Sequence, residues 1–234
     1  MRKQISYMKV VVIIPAFNEE KAIGKVLNSI PNDLVEEVVV VDNNSTDQTG
    51  VEVKKAGATL LHEKRKGYGY ACLKGIDYFE KKELKPDVVV FIDADHSDYP
   101  EEMSSLLAPI QNESMDLVIG SRALGNRERG SMTIPQIFGN WLATGMLKLF
   151  YKVTFTDLGP FRAIRWESLM QLGMRDKTFG WTVEMQVKAA KMNMKCTEVP
   201  VNYRRRIGKS KVSGTVKGTI MAGYKIIWTI LKNL

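Results

Sequence analysis

Asp93-Ala94-Asp95 puts two carboxylates one residue apart, directly after the apolar run that ends at Ile92. Carboxylate oxygens at that spacing suit Mg²⁺ or Mn²⁺, ions that keep coordination positions for substrate phosphates. A solvated acidic loop reads the same in isolation. Asp42 closes a second apolar run, where its carboxylate can accept from a base or ribose, or cap the helix that follows. Glu19, in Pro15-Ala16-Phe17-Asn18-Glu19, has a similar choice between a nucleotide contact and the positive end of a helix. Lys64-Arg65-Lys66-Gly67-Tyr68-Gly69 sets three cations ahead of two glycines and a helix. That order can hold a diphosphate, with charges outside and backbone N–H groups close in, or it is an exposed basic loop. It lacks the full P-loop pattern.

These residues need a scaffold, and the first half of the chain supplies one by alternation. Apolar runs at Lys9–Ile14, Glu37–Val41, Ala58–Leu61, Asp87–Ile92 and Asp116–Gly120 read as strands. Helical spacing falls between them at Glu19–Ile30, Asn44–Gly57 (with Ser45 or Thr46 as its cap) and Gly69–Glu80. Strands apolar throughout imply burial on both faces, hence a parallel sheet covered by helices. In such sheets ligands bind beyond the carboxyl ends of the strands, where the polar segments above lie. Gly125–Ser131 reads as a loop, the second half is more helical, and Met194–Tyr203 returns to strand-like alternation.

Bulk properties bound the answer. The 234 residues, 44% apolar and 26% charged, suffice for one substantial α/β domain and argue against disorder. A net charge of +8 favours anionic partners without choosing among nucleotide, nucleic acid and bilayer. Two distant cysteines fit a reducing compartment rather than a disulfide framework. No run of about 18 uninterrupted apolar residues predicts a spanning helix, and the segment before Val10 does not read as a signal peptide.

The combination is more specific than its parts. Pro15-Ala16-Phe17-Asn18-Glu19-Glu20, then Val41-Asp42-Asn43-Asn44-Ser45-Thr46-Asp47, then Lys66-Gly67-Tyr68-Gly69, then Asp93-Ala94-Asp95 resembles glycosyltransferase family 2. Further on, Gly120-Ser121-Arg122, Thr156-Asp157-Leu158-Gly159-Pro160-Phe161-Arg162 and Tyr203-Arg204-Arg205-Arg206-Ile207-Gly208-Lys209-Ser210-Lys211 look like its polyprenyl-phosphate branch, the dolichyl-phosphate mannose and glucose synthases. The resemblance implies a GT-A fold: a mostly parallel central sheet flanked by helices, with C-terminal amphipathic helices. It implies one domain over 1–234, comprising a nucleotide-sugar half (9–122), an acceptor half (123–211) and an amphipathic segment (212–234).

By the same resemblance, Pro15, Ala16, Phe17, Glu19, Asp42, Lys66, Gly67, Asp93 and Ala94 hold the nucleotide sugar, and Asp93 and Asp95 hold Mg²⁺ or Mn²⁺. Asp42 is the aspartate expected to meet the base, although Asn43 stands where a second Asp is usual. Asp95, Asp157, Arg122, Arg204 and Glu184 are expected in the reaction, Arg204 as the first grip on an acceptor phosphate and Glu184 or Asp157 as a base if the acceptor is a hydroxyl. The implied reaction is inverting transfer of a hexose from a nucleoside-diphosphate sugar to a dolichyl or undecaprenyl phosphate. UDP-glucose is slightly favoured over GDP-mannose, because Ser97 stands where mannose synthases often carry Gln, and the acceptor-loop cation of those enzymes has no counterpart near Gln136. Nucleotidyl transfer, and a basic membrane- or nucleic-acid-binding module, are the readings from other classes. The acid pair at a strand tip argues against nucleic acid as the partner.

Two segments carry apolar stripes with Trp. Gln136, Asn140, Thr144 and Lys148 recur along Ile134–Tyr151, leaving Ile137, Trp141, Leu142, Leu149 and Phe150 apolar. Lys225, Thr229 and Lys232 oppose Ile220, Tyr224, Ile227, Leu231 and Leu234 along 216–234. Either stripe fits a core-packing face or a bilayer interface. The resulting expectation is a cytoplasmic protein, peripheral on the inner face of a membrane, alone, as a homo-oligomer or beside a membrane partner.

Overall fold

The computed structural model describes residues 8–208 and 216–234; Lys209 and Lys211 of the basic cluster lie outside them. Elements follow in the order β1 (Val10–Ala16), α1 (Ile23–Ser29), β2 (Glu37–Asp42), α2 (Thr49–Lys55), β3 (Thr59–His62), α3 (Tyr68–Glu80), β4 (Val88–Phe91), α4 (Met103–Glu113), β5 (Leu117–Ser121), α5 (Ile134–Tyr151), β6 (Arg162–Arg165), α6 (Trp166–Leu172), α7 (Trp181–Lys191), β7 (Cys196–Pro200) and α8 (Val216–Lys232).

The strands form one seven-stranded sheet, ordered β3-β2-β1-β4-β6-β5-β7. All pairings are parallel except those of β6, which runs antiparallel between β4 and β5. Residues of both halves of the chain thus share a single sheet. The continuous Val/Ile runs have the meaning expected of them. Val11, Ile13, Val39, Val41, Val89 and Phe91 point to the layer of α3, α6 and α7. Val10, Val12, Ile14, Val40, Val88 and Val90 point to α1, α2 and α4. Two covered faces leave only the strand ends free for chemistry.

Two expectations are corrected. The helix expected from Asn44 starts at Thr49, and neither Ser45 nor Thr46 caps it. Ser45 Oγ instead accepts from Asn18 N at 2.9 Å, and Thr46 N donates to Asn18 Oδ1 at 2.8 Å. The segment is thereby used to tie the β1 and β2 loops together. The helix expected from Glu19 begins only at Ile23, after a turn in which Ala22 N and Ile23 N both donate to Glu19 O.

The helices α5 and α8 are packed the reverse way round from ordinary surface helices. On α8, Lys225 reaches Asp176 at 2.9 Å and Thr229 is buried, while Ile220, Tyr224, Trp228, Leu231 and Leu234 are exposed. On α5, Asn140 turns inward, donating to Thr156 O and accepting from Leu158 N, both at 2.9 Å, whereas Ile134, Phe138, Trp141 and Leu149 are exposed. Ile230, Ala143 and Leu147 anchor the pair to the core, and Tyr151 Oη donates to Ile230 O at 2.7 Å. Among the described residues, no helix is long and apolar enough to cross a membrane.

The glycines before α3 allow a close approach. A Cβ on Gly69 would lie 2.0 Å from Asp176 O, and one on Gly67, whose φ is +149°, 2.2 Å from Lys177 O. Gly69→Ala is expected to cost on the order of 3 kcal/mol, since backbone atoms cannot yield as side chains do. Gly24→Ala, in α1 with open space around its Cβ, is expected to gain roughly 0.5–1 kcal/mol. Urea unfolding of the two variants checks both signs.

Candidate active site

Strand register aligns the functional residues. Ala16 pairs with Asp42, Asp42 with His62, and Phe91 with Arg162, so the loops after β1, β2, β3 and β4 emerge at one edge beside the chain entering β6. Between them lies a cleft of about 340 Å³. Pro15, Ala16, Phe17, Glu19, Lys66, Gly67, Asp93, Ala94 and Asp95, all expected at the nucleotide or metal, line it together. A roomier groove of about 550 Å³ runs between α3 and α6, but neither acid of the pair lines it.

Asp42 is not among the lining residues. Its carboxylate accepts from Ser45 N at 3.1 Å and meets His62 Nδ1 at 3.2 Å. The next residue, Asn43, faces the cleft instead. Its Nδ2 donates to Glu63 O at 3.1 Å and Arg65 O at 2.7 Å, and its Oδ1 accepts from Gly67 N at 2.7 Å. An aspartate could not make the two donations, so Asn at this position moulds the 63–67 loop. The Gly67 amide is thereby committed to Asn43. Lys66 remains over the Phe17 ring, 5.4 Å from its centroid.

Asp93 accepts from Tyr68 Oη at 3.1 Å. Burial, then the Asp95 charge, pushes its carboxyl up from the usual range. Asp95 is held from two sides: its Oδ1 accepts from Ser97 N at 2.9 Å and from the Ser97 hydroxyl, and its Oδ2 lies 3.1 Å from Arg206 Nη1. Ser97, offered from the sequence as a departure at a ligand position, orients Asp95. Arg206 Nη2 also reaches Glu19 Oε1 at 2.8 Å, so this guanidinium spans the cleft.

Arg204, the expected phosphate grip, is placed elsewhere. Its Nε and Nη2 donate to His96 O at 2.7 Å and Asp98 O at 3.0 Å, and it stacks on Tyr99 at 4.2 Å. Arg122 and Asp157 are brought together as a buried bidentate pair, both bonds 2.7 Å, with Arg122 N also on Asp157 at 2.8 Å. The Asp157 charge raises the Arg122 pKa against the effect of burial. Glu184 lies away from the cleft lining. Its carboxylate accepts from Arg175 N and Asp176 N and pairs with Lys188 at 2.8 Å, fixing the loop before α7.

Sequence reading missed Asn43, Tyr68, Thr178, Phe179 and Arg206 in the lining, and Asp98 beneath it. Asp98 is 2% exposed, and neither carboxyl oxygen has a hydrogen-bond partner among the described residues. Burial, then Asp93 and Asp95, drives its pKa well above the usual range.

The donor set suits a hard divalent ion. Asp93 and Asp95 offer adjacent carboxylates at an open cleft, and no group of three His, Cys, Asp or Glu that could hold an ion occurs among the described residues. Two protein carboxylates with further positions left to substrate oxygens is the arrangement Mg²⁺ and Mn²⁺ accept.

A mostly parallel α/β sheet with an acid pair, a cationic cleft and a glycine turn at its carboxyl edge defines a nucleotide-binding transferase scaffold. Residues 11–173 match Glycosyl transferase family 2, and the chain belongs to that family. It is 34% identical over 216 residues to an uncharacterized glycosyltransferase of Mycobacterium tuberculosis, covering 91% of this chain and 94% of that one. It is 31% identical over 229 residues to a dolichyl-phosphate hexose transferase of Haloferax volcanii, covering 95% and 94%. Its fold is similar to glucosyl-3-phosphoglycerate synthase of Mycobacterium tuberculosis, solved with Mn²⁺, uridine diphosphate and phosphoglyceric acid, at TM-score 0.77, 21% identity, and 97% and 78% coverage.

The raised acids give a signed pH dependence. Asp98 in the folded chain holds its proton to higher pH than in the unfolded chain, where an aspartate titrates near about 4. Above that pH the folded state binds more protons than the unfolded, so stability falls as pH rises. In chelator-containing buffer the melting temperature is expected to drop from mildly acidic to neutral pH. Asp98→Asn, which has no carboxyl to titrate, should flatten the drop and raise neutral-pH stability, on the order of 1–3 kcal/mol for an acid whose proton is held more tightly folded than unfolded. Calorimetry of both proteins across that range checks it.

Proposed function

We propose that the protein transfers a hexose from a nucleoside-diphosphate sugar to a polyprenyl phosphate at a membrane surface. The observation that carries this reading is the state of the two acids a hydroxyl acceptor would need. Asp157 is 1% exposed and bound bidentately by Arg122. Glu184 is bound to two backbone amides and Lys188, away from the cleft lining. Neither is placed to take a proton. A phosphate monoester needs no such base, because its second pKa of about 6 leaves it largely ionised near neutrality.

The acceptor side fits such a molecule. Arg127 and Arg129 flank a small pocket of about 170 Å³ that also takes in Met132 and Ile137 at the foot of α5. The outward apolar face of α5 adjoins it, and α8 packs on α5; Trp141 and Trp228 are exposed as expected for residues at a bilayer interface. The name of the Haloferax relative points the same way, whereas the structural relative is solved with a soluble acceptor.

In the proposed mechanism, Phe17, Glu19 and the Asn43-moulded loop hold the nucleoside, and Tyr68 and Ser97 fix the directions of Asp93 and Asp95. These two carboxylates would hold Mg²⁺ or Mn²⁺, which when bound offsets the charge growing on the leaving diphosphate. Lys66 and Arg206 add positive charge from the cleft walls. Arg122, held by Asp157, keeps a fixed positive charge at the end of β5. Attack by the acceptor phosphate on the anomeric carbon then inverts that centre.

The test is turnover of a panel of nucleotide sugars, uridine diphosphate hexoses first, with Mn²⁺ and a short polyprenyl phosphate. Released nucleotide and organic-phase sugar are both followed. Sugar in the lipid phase that disappears in Asp95→Ala supports the reading; nucleotide release without lipid product overturns the acceptor. Glu184→Gln is expected to keep kcat well short of the roughly hundredfold loss that follows removal of a general base. Trp141→Glu with Trp228→Glu is expected to lower co-sedimentation with anionic vesicles while leaving donor binding unchanged.

A further inference from the structure

We infer that Tyr203–Gly208 is a strap that Arg206 latches onto the acid loop, and that a divalent ion arriving at Asp95 releases it. The inference rests on reading Asp93 and Asp95 as the metal site, and it adds how that site is guarded.

The strap has two kinds of attachment. On one side it is tied to the loop after β5: Tyr203 N donates to Asn126 O and Glu128 N to Tyr203 O, both at 2.9 Å. On the other it lies on the acid loop, with Arg204 N on Ser97 O at 2.9 Å, Ile207 N on Asp95 O at 3.0 Å, and the Arg204 guanidinium on His96 O and Asp98 O at its near end. Arg206 completes the second side, placing Nη1 3.1 Å from Asp95 Oδ2 and Nη2 2.8 Å from Glu19 Oε1. A divalent cation on Asp95 would stand beside the Arg206 guanidinium, and the two like charges repel. Metal uptake at Asp95 therefore weakens the hold of Arg206 on Oδ2, and the two backbone bonds that flank it lose that support.

The latched arrangement is also costly where it closes. Arg206 Nε is buried without a partner, and Asp98, bridged to Tyr203 under the strap, has neither carboxyl oxygen satisfied among the described residues. These three atoms, one on Arg206 and two on Asp98, each carry the desolvation cost of a buried group without a bond. Lifting the acid-loop side of the strap exposes them to water while the Asn126 side holds. A cation that favours the lifted arrangement biases the strap toward it, and such a bias makes a switch. The freed Arg206 then stands beside a cleft about to receive a diphosphate.

Hydrogen exchange and Mn²⁺ binding on the full chain test this together, the second read from the electron paramagnetic signal of free ion and so independent of activity. Saturating Mn²⁺ is expected to speed exchange in a peptide covering 204–208 by a factor on the order of ten, within the usual range for coupled sites. Protection at Glu128 should be unchanged. Arg206→Gln should exchange fast without metal and bind Mn²⁺ several-fold more tightly. Arg206→Lys, which keeps the charge but cannot bridge two carboxylates, should also free the strap, separating the latch from a general change in field. Bound Mn²⁺ with unchanged strap exchange, or no gain in affinity in Arg206→Gln, overturns the latch and leaves the metal site standing. No Mn²⁺ binding by any of the three proteins overturns both.

Discussion

The buried pair between Arg122 and Asp157 sets how the chain leaving β5 meets the chain entering β6, its neighbour in the sheet. Arg122 is the residue after β5, and Asp157 lies in the segment leading into β6, which inserts antiparallel beside β5. Two 2.7 Å side-chain bonds and a backbone bond at 2.8 Å fix one to the other. Glu198 of β7 takes the amides of Thr156 and Asp157, and Gln186 of α7 donates to Asp157 O. Removing either partner would strand a charge in a dry setting, a loss far larger than the pair's net worth. The junction of β5 and β6 therefore inherits its geometry from an ion pair, and both oxygens of the acid in that pair are taken up by the arginine.

Much of this edge was legible in the sequence because burial on two faces writes itself as unbroken apolar runs. Strands β1, β2 and β4 and their polar tips follow from that rule alone. Strand β6 did not, since Arg162-Ala163-Ile164-Arg165 begins and ends on arginine and pairs with partners more than forty residues away. Arg162 is nevertheless fully buried, its guanidinium satisfied by the carbonyls of Leu158, Gly159 and Thr182, and burial lowers its pKa to about 10. No local pattern announces a buried arginine whose donors are met by backbone oxygens.

Two residues of the cleft lie beside ones the sequence singled out. Asn43 rather than Asp42 lines it; the two are neighbours at a strand end, where successive side chains point to opposite sides. Arg206 rather than Arg204 lines it although the two share parity, because Arg204 is drawn onto the carbonyls of His96 and Asp98. Composition identifies the cluster; contacts far off in sequence, such as Asp98 with Tyr203, decide which member faces the cleft. Asp98 itself was invisible for a related reason: its interest lies in partners it lacks, which only packing reveals.

The amphipathic helices carry the same lesson in reverse. A stripe of polar residues at helical spacing ordinarily faces water, and the apolar stripe the core. Asn140 and Thr229 instead face the protein, and the tryptophans face out. An outward apolar face is favourable only if something other than water covers it, and under the proposed reading the α5 face, beside Arg127 and Arg129, would meet anionic headgroups. On that reading the reaction's needs converge. A lipid phosphate would bring its own negative charge and its own nucleophile, leaving the protein to supply cations, orientation and a dry approach, while Asp93 and Asp95 would hold a metal and Asp157 holds an arginine.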